Sequence, residues 1–241
     1  MRRLVPAETL ESSATQQYSQ LLAQARAQGA LVPSGHPQLA RLHAIARRLI
    51  PFTTPWNDRA RHWRWEVNLI ASKQINAFCM PGGKIAFYTG ILDQLKLTDD
   101  EVAMVMGHEI AHALREHGRE KAGQATGIGI AAAIGGAVGA YYGIDANVGQ
   151  TVLGTVGELA FMRPNSRGME QEADRMGVEL AARAGYDPRA AISLWEKMGR
   201  VSGGQPPQWL STHPSNQSRI ADLKVYAERV QPLYIAARRN R

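Results

Sequence analysis

"VMGHEIAHALREHG", residues 105–118, places His108, His112 and His117 in a run that is otherwise apolar up to Leu114, apart from Glu109. Just upstream, Thr98 followed three residues later by Glu101 is a capping-box pattern. Asp99 and Asp100 suit the positive end of a helix dipole. Val102, Val105, Met106, Ile110 and Ala113 recur at helical spacing, which predicts an amphipathic helix buried on that face, with Gly118 as its stop.

On such a helix His108 and His112 lie almost above one another, with Cβ atoms about 5–6 Å apart. Imidazoles leaning inward from that spacing can bring two nitrogens to the roughly 3.3 Å separation that a shared tetrahedral zinc demands. Glu109 stands about 100° round the helix, so it can flank a metal without ligating it and reach a bound water. This is the H-E-x-x-H arrangement, two zinc ligands and a general base. A carboxylate inside an apolar run costs solvation free energy unless something compensates it. On an unbroken helix His117 points about 140° away from His112, so it is expected at the surface and outside the site.

A catalytic zinc needs a third protein ligand and an open fourth position. The metzincin extension would require glycine three residues after His112 and histidine six after it; Arg115 and Gly118 stand there, which excludes that class. "SRGMEQEADRMGVELAARAG" (166–185) is the strongest helical pattern downstream. Glu170 and Asp174 share a face of it with Ala173 and Met176 nearby, whereas Glu172 faces about 200° from Glu170 and is expected in solvent. Two carboxylates buried side by side repel unless cations or donors meet them. Zinc for Glu170, and the outer ring N–H of a ligating histidine for Asp174, would supply those partners. The alternative is that "EQEADR" is only a charged helix surface.

The rest of the chain is organised around this pair of helices. Residues 7–28 and about 36–49 read as helices, the second ended by "IPFTTPW" with its two prolines. "HWRWEVNLI" (62–70) alternates as a half-buried strand. "INAFCMPGGKIAFYTG" (75–90) reads as two strands joined at Pro81-Gly82-Gly83. With 241 residues, 44% of them hydrophobic, the chain can build one sizeable core. The lone Cys79 excludes an internal disulfide. Lys and Arg, which leave a net charge of +7, are dispersed rather than striped with aromatics, so a nucleic-acid partner is not expected and contact with anionic surfaces, membrane headgroups included, is favoured. "MRR" is followed by no apolar segment, so no signal peptide is visible.

In combination these residues resemble the gluzincin metallopeptidase family that includes the type-1 CAAX prenyl endopeptidase and the bacterial periplasmic outer-membrane-assembly proteases, and look most like its soluble, periplasmic members. The resemblance runs from about 62 to 225 and rests on "NAFCMPGGKIAFYTGIL", "HEIAH", "EQEADRMG" and "HPSNQSRI", in that order. It implies an α+β, mostly helical zincin fold, with a small antiparallel sheet against the active-site helix. One zinc would be held by His108, His112 and Glu170, with Glu109 as general base and Asp174 behind a ligating histidine. The same resemblance puts His213 close to the metal, as a fourth ligand or beside the reacting carbonyl. His213 or Arg219 is then expected to stabilise the oxyanion. An extended substrate is expected to pair with the strand at Asn76, Ala77 and Phe78, which reads backbone and predicts broad action on unfolded or misassembled polypeptides in the cell envelope.

Three segments are divided accordingly: 1–60 as an N-terminal helical segment, 61–230 as the peptidase domain, and 231–241 as a basic tail. Within the domain, "AGQATGIGIAAAIGGAVGAYYGI" (122–144) is uncharged and glycine-rich. It reads as a helical lid within 122–160, with a membrane-touching segment or a true span as alternatives.

Overall fold

The computed structural model describes residues 6–125, 165–201, 207–214 and 217–239. Helices α1 (Ala7–Ala27) and α2 (Pro37–Leu49) precede a sheet of β1 (Glu66–Ile70), β2 (Ala77–Met80) and β3 (Lys84–Tyr88). Then come α3 (Thr89–Leu95), α4 (Asp99–Leu114), α5 (His117–Ala125), α6 (Arg167–Arg183), α7 (Ala190–Val201), α8 (Gln208–Thr212) and α9 (Gln217–Arg239). Residues 231–239, read from sequence as part of a tail, continue α9 past Pro232. Among the described residues no helix is long and apolar enough to cross a membrane. The expected lid at 122–160 lies, beyond residue 125, outside the described residues.

The strand order is β1-β3-β2. Strands β2 and β3 pair antiparallel, as expected, around a turn where Gly82 (φ 84°) and Gly83 (φ 76°) take conformations that suit glycine. Strand β1 joins β3 in parallel, which makes the sheet mixed. The connection from β1 carries the chain past the central position, so β3 can enter between β1 and β2. That connection is pinned to the start of α3 by hydrogen bonds from Gly90 N (2.8 Å) and Thr89 Oγ1 (3.0 Å) to Ser72 O.

Side chains alternate across the sheet and feed two cores. On one face Phe78, Met80, Ala86 and Tyr88 meet Leu10, Ala14, Tyr18 and Leu21 of α1. The Tyr18 hydroxyl donates to Ile85 O at 2.5 Å. On the other face Ala77, Cys79, Ile85 and Phe87 join the main core, built with α2, α4, α6 and α7.

Helix α4 is the axis of that core. The capping box at Thr98 and Glu101 is present as read from sequence. The one-sided burial is not: every residue from Glu101 to Leu114 is buried. Helix α4 is enclosed by α2, α6, α7 and β2, so its whole circumference is buried rather than a single stripe. Glu101 tolerates burial because Lys197 Nζ (2.6 Å), Ser193 Oγ (2.7 Å) and Thr98 N (2.8 Å) all donate to its carboxylate.

Helices α4 and α6 meet backbone to backbone at Gly107 and Gly177. A Cβ on Gly107 would stand 2.6 Å from Gly177 O, and one on Gly177 would stand 2.6 Å from His108 N. Only glycine permits this approach, and it sets the distance between the two helices that carry the candidate ligands. Gly177→Ala is therefore expected to destabilise the protein by about 1–3 kcal/mol through forced separation of the helices. Gly199→Ala, at an α7 position with open space around it, should be neutral or stabilising by up to about 1 kcal/mol. Urea denaturation of the two variants beside wild type checks the contrast.

Candidate metal centre

Helix α4 supplies His108, Glu109 and His112, helix α6 supplies Glu170 and Asp174, and the residue after α8 supplies His213. All six are buried. His108, His112, Glu170 and His213 each turn one donor atom to a common point, all within 4.8 Å of one another. The spacings are 3.0 Å from His108 Nε2 to His112 Nε2, 3.2 Å from His108 Nε2 to His213 Nδ1, and 2.9 Å from His213 Nδ1 to Glu170 Oε1. Glu170 closes the figure at 3.3 Å from His112 Nε2 and 3.5 Å from His108 Nε2. A tetrahedron around a cation with bonds of about 2.0–2.1 Å has edges of about 3.3 Å.

The atoms behind the donors show which protonation states fit. His108 Nδ1 lies 2.9 Å from Asp174 Oδ1, and an ionised carboxylate can only accept, so Nδ1 carries the hydrogen and Nε2 presents a lone pair. Burial holds the His112 imidazole well below its usual range, leaving it neutral at pH 7. Glu170 resists burial because His213 and His112 face it, which keeps its carboxyl well below the ordinary carboxylate range. Its Oε2 is buried and lies 2.9 Å from Arg219 Nη2. Imidazole lone pairs and an ionised carboxylate converging on one buried point suit a divalent cation.

Asp174 and Arg219 brace this set. Arg219 grips Asp174 through Nε (2.7 Å) and Nη2 (2.8 Å), gives Nη1 to Pro214 O (2.7 Å), and brings Nη2 within 2.9 Å of Glu170 Oε2. Its guanidinium lies over the Trp195 ring, 4.4 Å from the centroid. With its donors turned to two carboxylates and a carbonyl, Arg219 occupies a bracing position rather than the oxyanion position expected from the resemblance. Burial raises the Asp174 pKa, but the hydrogen bonds from His108 and Arg219 outweigh it and leave the group below its ordinary value.

Glu109 stands beside the donors. Trp209 Nε1 donates to its Oε1 at 2.5 Å, and His213 Nε2 lies 3.4 Å from the same oxygen. Burial pushes the Glu109 carboxyl up to about 7, against the lowering effect of His108 and the Trp209 N–H. Asn165 Nδ2 donates to Glu170 Oε1 at 2.6 Å. Ala77 and Phe78 open the sheet-edge strand β2 and Asn76 directly precedes it, all buried, with the Ala77 N–H held by Asn76 Oδ1 at 3.0 Å.

Two sequence expectations fail at the end of α4. His117 is not at the surface: it is 1% exposed, and its Nδ1 lies 2.8 Å from His112 Nδ1. Glu172 is only half in solvent and takes His117 Nε2 at 3.0 Å. The expectation assumed one unbroken helix, whereas α4 ends at Leu114, Glu116 turns left-handed (φ 58°), and α5 restarts at His117. That reversal swings the ring back over His112. Trp209 and Asn165 were not singled out from sequence either. Trp209 had a usable signal, since it stands four residues before His213 and so shares a helix face with it; Asn165 had none.

Residues 37–227 match the model of peptidase family M48, and the chain belongs to that family of metal-dependent peptidases. It is 39% identical over 155 residues to the mitochondrial metalloendopeptidase OMA1 of Arabidopsis thaliana, covering 64% of this chain and 30% of the relative. It is 38% identical over 167 residues to mitochondrial metalloendopeptidase OMA1 of Homo sapiens, covering 66% of this chain and 32% of the relative. With the beta-barrel assembly-enhancing protease of Escherichia coli it shares 31% over 177 residues, covering 69% of this chain and 35% of the relative. The chain thus spans about a third of the length of these relatives.

The bracing arrangement has a measurable consequence. Arg219→Ala leaves Asp174 and Glu170 buried without their guanidinium and should destabilise the metal-free protein by about 3–5 kcal/mol. Arg219→Lys keeps the charge but loses the two-pronged grip and should fall between alanine and wild type. Chemical denaturation in the presence of chelator reads both.

Proposed function

We propose that this chain is a zinc-dependent endopeptidase that cleaves unfolded or misassembled polypeptides in the cell envelope. The observation that carries the reading is the buried Glu109 carboxylate set beside a convergent His108, His112 and Glu170. These three residues would hold the cation. Zinc bound there would supply a Lewis acid that lowers the pKa of water toward about 7 and polarises a carbonyl.

The remaining chemistry belongs to the chain. Glu109, with a pKa of about 7, is poised to take the proton of the attacking water and to deliver it to the leaving amine. Trp209 holds one carboxylate oxygen and leaves the other for that exchange. Asp174, clamped by Arg219, fixes the tautomer of His108. An extended substrate adds along the β2 edge at Asn76, Ala77 and Phe78; Asn76 O accepts from Tyr88 N of β3, so in the antiparallel ladder Ala77 is the residue turned outward, and it offers its carbonyl while Asn76 Oδ1 holds its N–H. The named relatives, mitochondrial metalloendopeptidases and a beta-barrel assembly-enhancing protease, support a role in envelope protein quality control. The net charge of +7 supports contact with anionic membrane surfaces.

A second reading rests on His213. With its Nδ1 among the donors the cage is four-sided and closed, as in structural sites, which describes a self-inhibited or chaperone-like module. Digestion of casein or another unfolded protein separates the two. Cleavage by wild type, with a loss of about 10²–10⁴-fold in Glu109→Gln at unchanged metal content, supports the peptidase. Binding by wild type, Glu109→Gln and chelated protein without cleavage supports the second reading and overturns the first.

The pH profile tests the Glu109 assignment. The base works ionised, so activity should fall as pH drops through its pKa. The Trp209 N–H stabilises the ionised form, and its removal raises that pKa. Trp209→Phe should therefore move the acid limb of kcat/KM to higher pH, by on the order of one unit.

A further inference from the structure

One buried chain of side chains leads outward from the donor cluster and has no part in the chemistry described above. His112 Nδ1 faces His117 Nδ1 at 2.8 Å, and His117 Nε2 faces Glu172 Oε2 at 3.0 Å. Arg115 makes an ion pair with the other oxygen, Glu172 Oε1. The two imidazoles meet edge to face, with centroids 4.9 Å apart and planes at 71°. His117 is 1% exposed, whereas Glu172 and Arg115 have side chains 38% and 34% exposed, so the thread runs from the cluster to the surface.

Hydrogen-bond bookkeeping allows a neutral His117 only one direction along this thread. An ionised carboxylate accepts and cannot donate, so the hydrogen of His117 sits on Nε2. Its Nδ1 is then a lone pair, and the bond to His112 can form only if His112 carries its hydrogen on Nδ1. The His112 Nε2 that points into the cluster is left bare. A neutral histidine without this partner is free to place its hydrogen on Nε2, where it would block a ligand position.

We propose that His117, oriented by Glu172, is a positioning residue that locks His112 in its metal-binding tautomer and ring orientation. This rests on the metal-site reading above. It makes the two helical histidines unlike one another in their support. His108 is backed directly by a carboxylate, Asp174, while His112 is backed by an imidazole whose own carboxylate lies at the rim. The left-handed turn at Glu116 makes this possible, since an unbroken helix would send His117 to the far side.

The test is Zn2+ affinity, measured by competition with a chromophoric chelator, together with the visible spectrum of the Co2+-loaded protein. His117→Phe keeps a ring but no nitrogen, and should weaken Zn2+ binding by about 10–100-fold and alter the Co2+ bands. His117→Gln offers both an acceptor and a donor, and should bind more tightly than His117→Phe. Wild-type affinity in His117→Phe, or a glutamine variant no better than phenylalanine, overturns the proposal by reducing His117 to packing. Should the buried substitutions fail to fold, the half-exposed Glu172 decides. Glu172→Ala should lose affinity while Glu172→Gln, which keeps an acceptor, stays near wild type, and two equal affinities overturn the relay. A wild type that takes up no Zn2+ overturns the metal reading itself, which is a different result from normal uptake with unaffected variants.

Discussion

The architecture depends on the contact of two glycines, Gly107 and Gly177, whose backbones leave no room for a single methyl between α4 and α6. Helix pairs with ordinary side chains at the crossing stand about 8–10 Å apart. Removing the side chains at this one point lets the helices approach until Glu170 and Asp174, on α6, reach the histidines of α4. The donor cluster, the Asp174 support and the Arg219 clamp all presuppose that approach. Two residues that contribute no chemistry thereby determine whether any can occur.

The surrounding layers explain why the charged residues remain in place. Three carboxylates, Glu109, Glu170 and Asp174, lie buried around the common point, a density that would be costly if any stood alone. Each is answered: Asp174 by His108 and Arg219, Glu170 by Asn165, His213 and Arg219, and Glu109 by Trp209. Elements distant in sequence supply these answers. The network therefore joins α4, α6, α8 and α9 more specifically than apolar packing alone would.

Much of this was legible in the chain and some was not, for physical reasons. The four-residue spacings of His108 with His112 and of Glu170 with Asp174 are properties of a helix, and they survive into the structure because each pair falls within one continuous helix. The capping box at Thr98 is equally local and equally readable. The mixed sheet was not, because nothing in "HWRWEVNLI" says whether β3 will enter beside it. His117 failed for a related reason: a helix period extrapolated through Arg115 and Glu116 rotates every later residue to the wrong side. Arg219 could be placed near the site by its motif, but its direction depends on which carboxylates lie within reach.

One feature of α4 reaches beyond the reaction. A helix enclosed on every side offers its amide hydrogens no route to solvent short of cooperative unfolding, so it ranks with the slowest-exchanging parts of the molecule. His108, Glu109 and His112 are thus mounted on an element that opens only with the core around it. The other residues around the cluster sit on shorter pieces such as α8, five residues long and tied to its neighbours by the backbone bonds Trp209 N to Ile75 O and Asn165 N to Thr212 O.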